Sequence, residues 1–476
     1  MILALAVLCS ASAASLDAIE VGGPWGTVLS DEPTALWWNP AGIAVRGGTQ
    51  IQLEAAPIWG DVGFERSNPN GGVGDLRSGG VLPFGGITSD LTVPGLGVGM
   101  GMAVPVARPG NQQEPGSPGS YHLRAGEITQ VHGILAAAYA FRDIVAIGAT
   151  VQLVSSTWVA DLDYDALPDL IDEMQALGID EIDGLEIDYT DEDLESEDYR
   201  VTLDFDHLKD TAVTWSVGGR VQPIPPLAFG FTYVAPYRVD NEGDTTMAFG
   251  CPSQDDTVGR YGMEAFGLCD ANAGGRTLDA RGTVGFSMPA RMHFGVMATP
   301  IEALRLELFG AYITWSRFTD FEISIDDIGE LNTFDTKLQK TRTPALTEQK
   351  RLWARDNVNT YFFALDAKYT VSPVWLVGAR ATLDRSAIPD SALSTNNYDA
   401  SQWILMAHAA ASPMPQLRIG LSFSEYLAAT REITDSAFSM AIDPAARKSD
   451  RYNYPQMNGS YRSNVHRFGL NVTAKL

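Results

Sequence analysis

Apolar and polar residues alternate with a period of two along most of this chain. Val145, Ile147, Ala149, Val151 and Leu153 alternate with Ala146, Gly148, Thr150 and Gln152. Leu417, Ile419, Leu421 and Phe423 alternate with Arg418, Gly420, Ser422 and Ser424. The last segment repeats this, with Phe468, Leu470, Val472, Ala474 and Leu476 against Arg467, Gly469, Asn471 and Thr473. One apolar and one polar face per segment predicts β-strands. The pattern fits a half-buried soluble sheet, and equally a barrel with lipid outside and a polar lumen.

Fourteen strands are predicted, at 47–65, 80–89, 95–107, 121–141, 144–160, 199–221, 227–248, 278–298, 303–325, 357–371, 374–385, 401–411, 416–430 and 459–476. Their connections separate the two architectures. Short turns rich in Pro, Ser and Asp fall at 90–94, 142–143, 222–226, 299–302, 372–373 and 412–415. Long loops fall between them, at 66–79, 108–120, 161–198, 249–277, 326–356, 386–400 and 431–458. A sandwich has no reason to sort its loops by length, whereas outer-membrane barrels do so. The expectation is all-β, a 14-stranded antiparallel transmembrane β-barrel over 47–476 with both termini on the short-turn side. Trp158, Trp215, Trp315, Trp375, Trp403 and Tyr426, at or near strand ends, suit an interfacial girdle.

Composition narrows this further. The 476 residues are 45% hydrophobic, and no stretch beyond residue 14 supplies the ~20 apolar residues of a membrane helix. Residues 1–14, MILALAVLCSASAA, read as a secretory signal with Ala11-Ser12-Ala13 at the cleavage site. Net charge is −26, which argues against nucleic acid as a partner. Beyond the signal only Cys251 and Cys269 are left, in one Gly- and Asp-rich segment. In an exported protein they read as a local disulfide, and neither has the neighbours of a zinc site. No cofactor or resident metal is expected.

The loop at 161–198 holds seventeen acidic residues and no Lys or Arg. Apolar Leu167, Leu170, Ile171, Met174 and Leu177 at helical spacing predict a short amphipathic helix inside it. Asp161, Asp163 and Asp165 begin like a calcium loop, but Ala166 stands where the turn glycine belongs and Pro168 intrudes. A solvated acidic loop, or loose association with divalent cations, describes it better.

The segment DEPTALWWNPAGIAVRGG, residues 31–48, carries the sharpest motif, with Asn39, Pro40 and Ala41 after an acidic and aromatic run. It resembles the N-terminal hatch of the FadL/TodX family, outer-membrane transporters of long-chain fatty acids and aromatic hydrocarbons. MPARMHFGVMATPIEALRLELFGAYITWSRF (288–318) and LVGARATLDRSAIPD (376–390) are similar to later family segments, in the same order. Ile388 and the terminal Leu476 depart from the family pattern, which more usually has a proline and an aromatic there. Asn39 is also a good helix cap and Pro40 a good first helical residue, so a purely local reading stands beside the family one.

The resemblance implies residues 15–46 as a hatch that plugs the lumen. It also implies capture of a hydrophobic molecule in an extracellular groove, a pocket above the hatch, and lateral exit through the wall into outer-membrane lipid. One barrel per functional unit is expected. A strand that leaves its ladder is needed for that exit. Gly95, Gly97, Gly99 and Gly101 mark either such a kink or close contact with the hatch. Strand parity turns Arg124, Arg220, Arg291 and Arg380 to the lumen, where a guanidinium can hold a carboxylate head group. The alternative for them is ion pairing with lumen acids such as Glu307, Asp366 and Asp384. A barrel hydrolase and an adhesive barrel are the rival functions, and none of the six histidines lies in a recognisable nucleophile motif.

Unreduced, proteolysed protein is expected to yield one linked peptide pair containing Cys251 and Cys269. Free thiols, or pairing between molecules, would refute the intraloop bond.

Overall fold

The computed structural model describes residues 19–67, 72–108, 124–142, 144–176, 178, 181–182, 185–186, 197–252, 256, 263–264, 268–270, 274–326, 333–335, 340–342, 350–354, 356–394, 398–436 and 458–476. Residues 1–14, the expected signal, lie outside this set. Among the described residues fourteen antiparallel strands form one closed sheet. They are β1 (Gln50–Arg66), β2 (Gly72–Ser89), β3 (Leu96–Arg108), β4 (Ala125–Phe141), β5 (Val145–Asp165) and β6 (Arg200–Ile224). β7 (Leu227–Val234 and Tyr237–Phe249), β8 (Thr277–Met288 and Arg291–Ile301) and β9 (Leu304–Ile313 and Asp320–Asp326) follow, each in two pieces. β10 (Lys350–Ala354 and Thr360–Thr370), β11 (Trp375–Asp384), β12 (Gln402–Met414), β13 (Leu417–Ala428 and Arg431–Ile433) and β14 (Gly459–Lys475) complete the circuit. β14 pairs with β1 from Lys475↔Gln50 to Gly459↔Arg66, which closes the barrel.

The two faces of the sheet are inverted relative to a soluble protein. Leu53, Leu135, Val151, Leu153, Val213, Phe231, Leu308, Leu365 and Leu421 are exposed on the outer face. Gln52, Gln130, His132, Gln152, Thr214, Thr232 and Asp366 are buried on the inner one. Such an apolar band is a liability in water and the solvated face of a barrel in lipid. This inversion separates the two architectures that alternation alone left open.

Several expectations shift. β2 begins at Gly72 rather than 80, because the Gly-rich stretch expected as loop is paired to β1 from Gly72↔Arg66 onward. Ladder bonds need only backbone, so a run without side-chain signal still extends a strand. The ladders of β7 to β10 are interrupted at neighbouring places, at 235–236, 289–290, 314–319 and 356–359. Pro236 and Pro289 contribute no N–H to the ladder at two of them.

Trp158, Trp315 and Tyr426 are buried rather than in an outer girdle. Trp158 and Tyr426 share the parity of Ser156 and Ser424, which face inward. Trp215, Trp375 and Trp403 are exposed on the outside. β5 runs to Asp165, so Asp161, Asp163 and Asp165 sit on a strand rather than on a cation-binding loop. The helix predicted beyond them forms as α1 (Leu167–Ala176), with Leu170, Ile171 and Met174 buried. Cys251 and Cys269 are joined, their Cα atoms 5.4 Å apart.

An intact closed barrel resists detergent until heated. Purified protein is expected to migrate faster unheated than boiled on a gel, with a β-dominated circular dichroism spectrum. A helix-rich spectrum with no heat shift would contradict the architecture.

Candidate functional site

Residues 19–46 occupy the lumen, and nearly all of them are buried. A segment this short cannot build a core of its own. It is a string of tight turns: a 3₁₀ turn at Gly23–Trp25, a single helical turn at Ala35–Trp38 and a second 3₁₀ stretch at Pro40–Ala44. Gly22 has φ +78° and Gly23 φ +55°, conformations that favour glycine. Asn39 ties the motif together. Its backbone is extended, its side-chain oxygen accepts from Ala41 N at 3.2 Å, and its amide donates to Gly219 O on β6 at 3.1 Å. The triplet is thus a cap and a bond to the wall at once.

Charged side chains of the barrel hold one side of this plug. Leu29 N donates to Glu307 Oε1 at 2.9 Å. Leu29 O accepts from Arg220 at 3.1 Å and from Arg305 at 2.9 Å. Arg380 donates to Gly23 O at 3.2 Å and to Pro24 O at 3.0 Å, with Asp366 at 3.0 Å from its Nε. Arg418 clamps Glu32 through both guanidinium nitrogens and lies 3.6 Å over the Trp25 ring. Arg467 bonds Glu54 and Glu20 O, and the Glu20 carboxylate accepts from Ser424 and Tyr426. Burial alone would raise the Asp31 carboxyl, but Arg46, Arg305 and Arg220 together hold it down at about 2.

The opposite side is held by absence of side chains. A Cβ on Gly97 of β3 would sit 2.7 Å from Ala44 N, and one on Gly101 2.9 Å from Leu36. On Gly148 of β5 it would lie 2.6 Å from the Pro40 carbonyl carbon. Gly218, Gly230 and Gly295, on β6, β7 and β8, meet Asn39, Leu29 and Val28 in the same way. Three lumen histidines complete the seat against the plug tryptophans. His408 packs on Trp25 at 5.9 Å between ring centres, His132 on Trp37 at 5.3 Å, and His293 on Trp38 at 5.3 Å.

Of the arginines picked out in the sequence, Arg220 and Arg380 thus bind plug carbonyls, and Arg291 lies 4.6 Å over the Trp37 ring. Arg124 is elsewhere, near the long-loop end, with Asp161 at 3.5 Å and Asp163 at 3.7 Å. Glu307 and Asp366 pair with Arg305 and Lys368, and Asp384 accepts from Gln402. Contact with the hatch was one of two readings of Gly97, Gly99 and Gly101, whereas Gly148, Gly218, Gly230 and Gly295 went unread in the sequence. Their signal was there, since these glycines are in phase with the polar lumen residues of their strands.

From the plug's Trp38, ring contacts run to Phe309 and Phe362. The same buried apolar cluster continues through Phe286, Phe318 and Phe321 to Trp158 and Phe205, towards the long loops. The wall itself is uneven. β2 is paired to β1 along its length, but to β3 over only six positions, from Ser89↔Val98 to Phe84↔Ala103. Beyond this point Pro83 and Pro105 stand in the two strands, the β3–β4 register shifts, and Val104 packs against Leu82 and Val131. Side chains, not ladder bonds, meet there. Of the four glycines marked in β3's sequence, Gly95 (φ +79°) lies in the turn, and Gly97, Gly99 and Gly101 approach the plug below the separation.

A profile described as "Outer membrane protein transport protein (OMPP1/FadL/TodX)" matches residues 2–475. The chain belongs to this family. A Pseudomonas aeruginosa FadL homologue superposes with a TM-score of 0.71 at 15% identity, covering 98% of this chain and 99% of that one. The P. putida toluene transporter TodX gives 0.63 at 13% identity, covering 97% and 99%. The Ralstonia pickettii toluene transporter TbuX gives 0.59 at 13%, again covering 97% and 99%. No curated protein sequence matches the chain. As a FadL/TodX-family barrel the protein resides in the outer membrane, and its family consists of transporters of hydrophobic compounds rather than enzymes. In outer-membrane barrels short turns face the periplasm and long loops the exterior.

Replacing Gly148 with leucine places a side chain where Pro40 and Ala41 now lie. Hydrogen exchange of amides 35–45 is expected to accelerate at least tenfold, with the strand amides of β1 and β14 unchanged. Unaltered exchange at 35–45 would mean that the plug does not depend on this band.

Proposed function

We propose that this barrel takes up long-chain fatty acids, capturing them among the long loops and releasing them sideways through the wall. The observation that supports this is a pairing of features: residues 19–46 are packed against the inner wall, while the β2–β3 ladder ends part-way along the strands. A polar molecule gains nothing from such a route. An alkyl chain does, because passage through water forfeits ~0.8 kcal/mol for every methylene exposed. The aromatic cluster above Trp38 supplies an apolar stop between the two openings, and Leu82 and Val104 form the apolar lips of the exit. Arg291, whose guanidinium lies over Trp37 beside that cluster, is the residue we assign to the carboxylate head group. Arg220 and Arg380 come second in this role because both already hold plug carbonyls, and Arg124 serves an earlier, surface stage of capture. The toluene named for TodX and TbuX makes an aromatic hydrocarbon the second cargo class.

In planar bilayers the wild type is expected to conduct ions poorly. Deleting residues 15–46 opens a large steady pore and lowers fatty acid uptake. A Leu82→Cys/Val104→Cys pair, once oxidised, is expected to cut uptake at least fivefold, and a reductant restores it. Porin-like conductance in the wild type, or normal uptake through the cross-linked wall, would overturn the reading.

A further inference from the structure

Directly beneath the separation of β2 and β3, the outer face of the barrel is hollow. A concavity of 740 Å³ lies across β1 to β5, within the ~300–1,000 Å³ of small-molecule sites. Register explains it. Leu53, Gly85, Met102, Gly133 and Leu153 are successive partners across five strands, so large and absent side chains alternate in one row. The recesses at Gly85 and Gly133 flank Met102, whose unbranched thioether adapts to what lies beside it. The next row towards the periplasm, from Ile51 to Val151, contains no glycine and forms a raised lower edge. Every residue of the lining is apolar or glycine.

We propose that this hollow is a binding groove for the alkyl chain of the departing cargo, an extended chain lying across the strands. The inference rests on the lateral exit proposed above and adds the class of molecule and the place where it lands. Three observations commit it to that occupant. The groove starts one position from Phe84↔Ala103, the last β2–β3 pair, so a molecule leaving between Leu82 and Val104 passes directly onto it. Its lining offers nothing to a head group, which stays behind at the lips. Its length, four strand spacings of ~4.8 Å or roughly 19 Å, matches an extended long alkyl chain and far exceeds one aromatic ring. Residence there keeps the chain out of the barrel until the bilayer takes it.

The groove can be filled without touching the interior. A Cβ on Gly85 meets only Leu53 at 3.4 Å, and one on Gly133 only Leu153 O at 3.9 Å. In the full-length protein in vesicles, Gly85→Leu/Gly133→Leu is expected to slow palmitate delivery at least threefold and leave toluene delivery unchanged, with heat-modifiable migration confirming the fold. A Leu135→Trp reporter at the groove should be quenched by externally added bromostearate, and the filled variant should lose this quenching. Undiminished palmitate delivery in the filled variant overturns the proposal, as does bromostearate quenching of the reporter that filling the groove leaves unchanged. If the oxidised Leu82→Cys/Val104→Cys pair stops delivery while filling the groove does not, the groove fails and lateral exit stands. If the oxidised pair has no effect, the exit reading itself fails.

Discussion

A backbone that makes little regular structure of its own is placed where water cannot reach it, and the rest of the lumen answers that constraint. Residues 19–46 form only isolated turns, so carbonyls such as those of Pro24 and Leu29 take their partners from the wall. Buried backbone groups left unpaired cost about as much as a lost hydrogen bond each. Arg220, Arg305 and Arg380 reach in from the wall to supply those partners. Their charges in turn require counter-ions, which Glu307 and Asp366 provide. The ionic belt of the lumen is therefore a consequence of plugging a barrel with an irregular chain. Removing Arg380 takes the wall donor from Pro24 O, while Asp366 keeps its pairing with Lys368.

The seat is asymmetric, and the asymmetry has a mechanical meaning. Strands β9 to β14 and β1 grip the plug with charge-assisted bonds, which are directional and strong. Strands β3 to β8 touch it through glycine backbone and the ring contacts of Trp37 and Trp38, with Arg220 and the Gly219 carbonyl of β6 as exceptions. Contacts of that kind are many and individually weak, so they break one at a time as a segment shifts. The weakly held side borders β3, the strand that parts from β2. The plug is thus gripped on the β1 and β14 side of that separation and loosely seated on the β3 side.

Much of this was legible in the sequence. Period-two alternation and the sorting of loops by length gave the strands, the closure and the membrane, and helical spacing at Leu167–Met174 gave the one helix of the acidic segment. The role of the arginines was not legible in the same way. Parity turned Arg220 and Arg380 inward, but their partners lie more than 190 and 350 residues away in sequence, at Leu29 and Pro24. Nothing local distinguishes an arginine that holds a carboxylate from one that holds a carbonyl. Trp158 and Tyr426 show the opposite case, where parity was available and the preference of aromatics for interfaces misled. The Gly-rich start of β2 failed for a third reason, since backbone bonds extend a strand even where its sequence carries no alternation.

The wall separation is the least expected feature for a barrel, because backbone groups facing lipid without partners are costly. The chain limits that cost by its choice of residues. Pro83 and Pro105 have no N–H, so neither can leave an unpaired donor there. Val104 and Leu82 then cover what is left with apolar surface, a contact that can separate and re-form without any hydrogen bond being exchanged. Proline-flanked parting of two strands is thus a low-cost way to interrupt a sheet in hydrocarbon, and it confines the opening to the stretch beyond the six positions that stay paired below it.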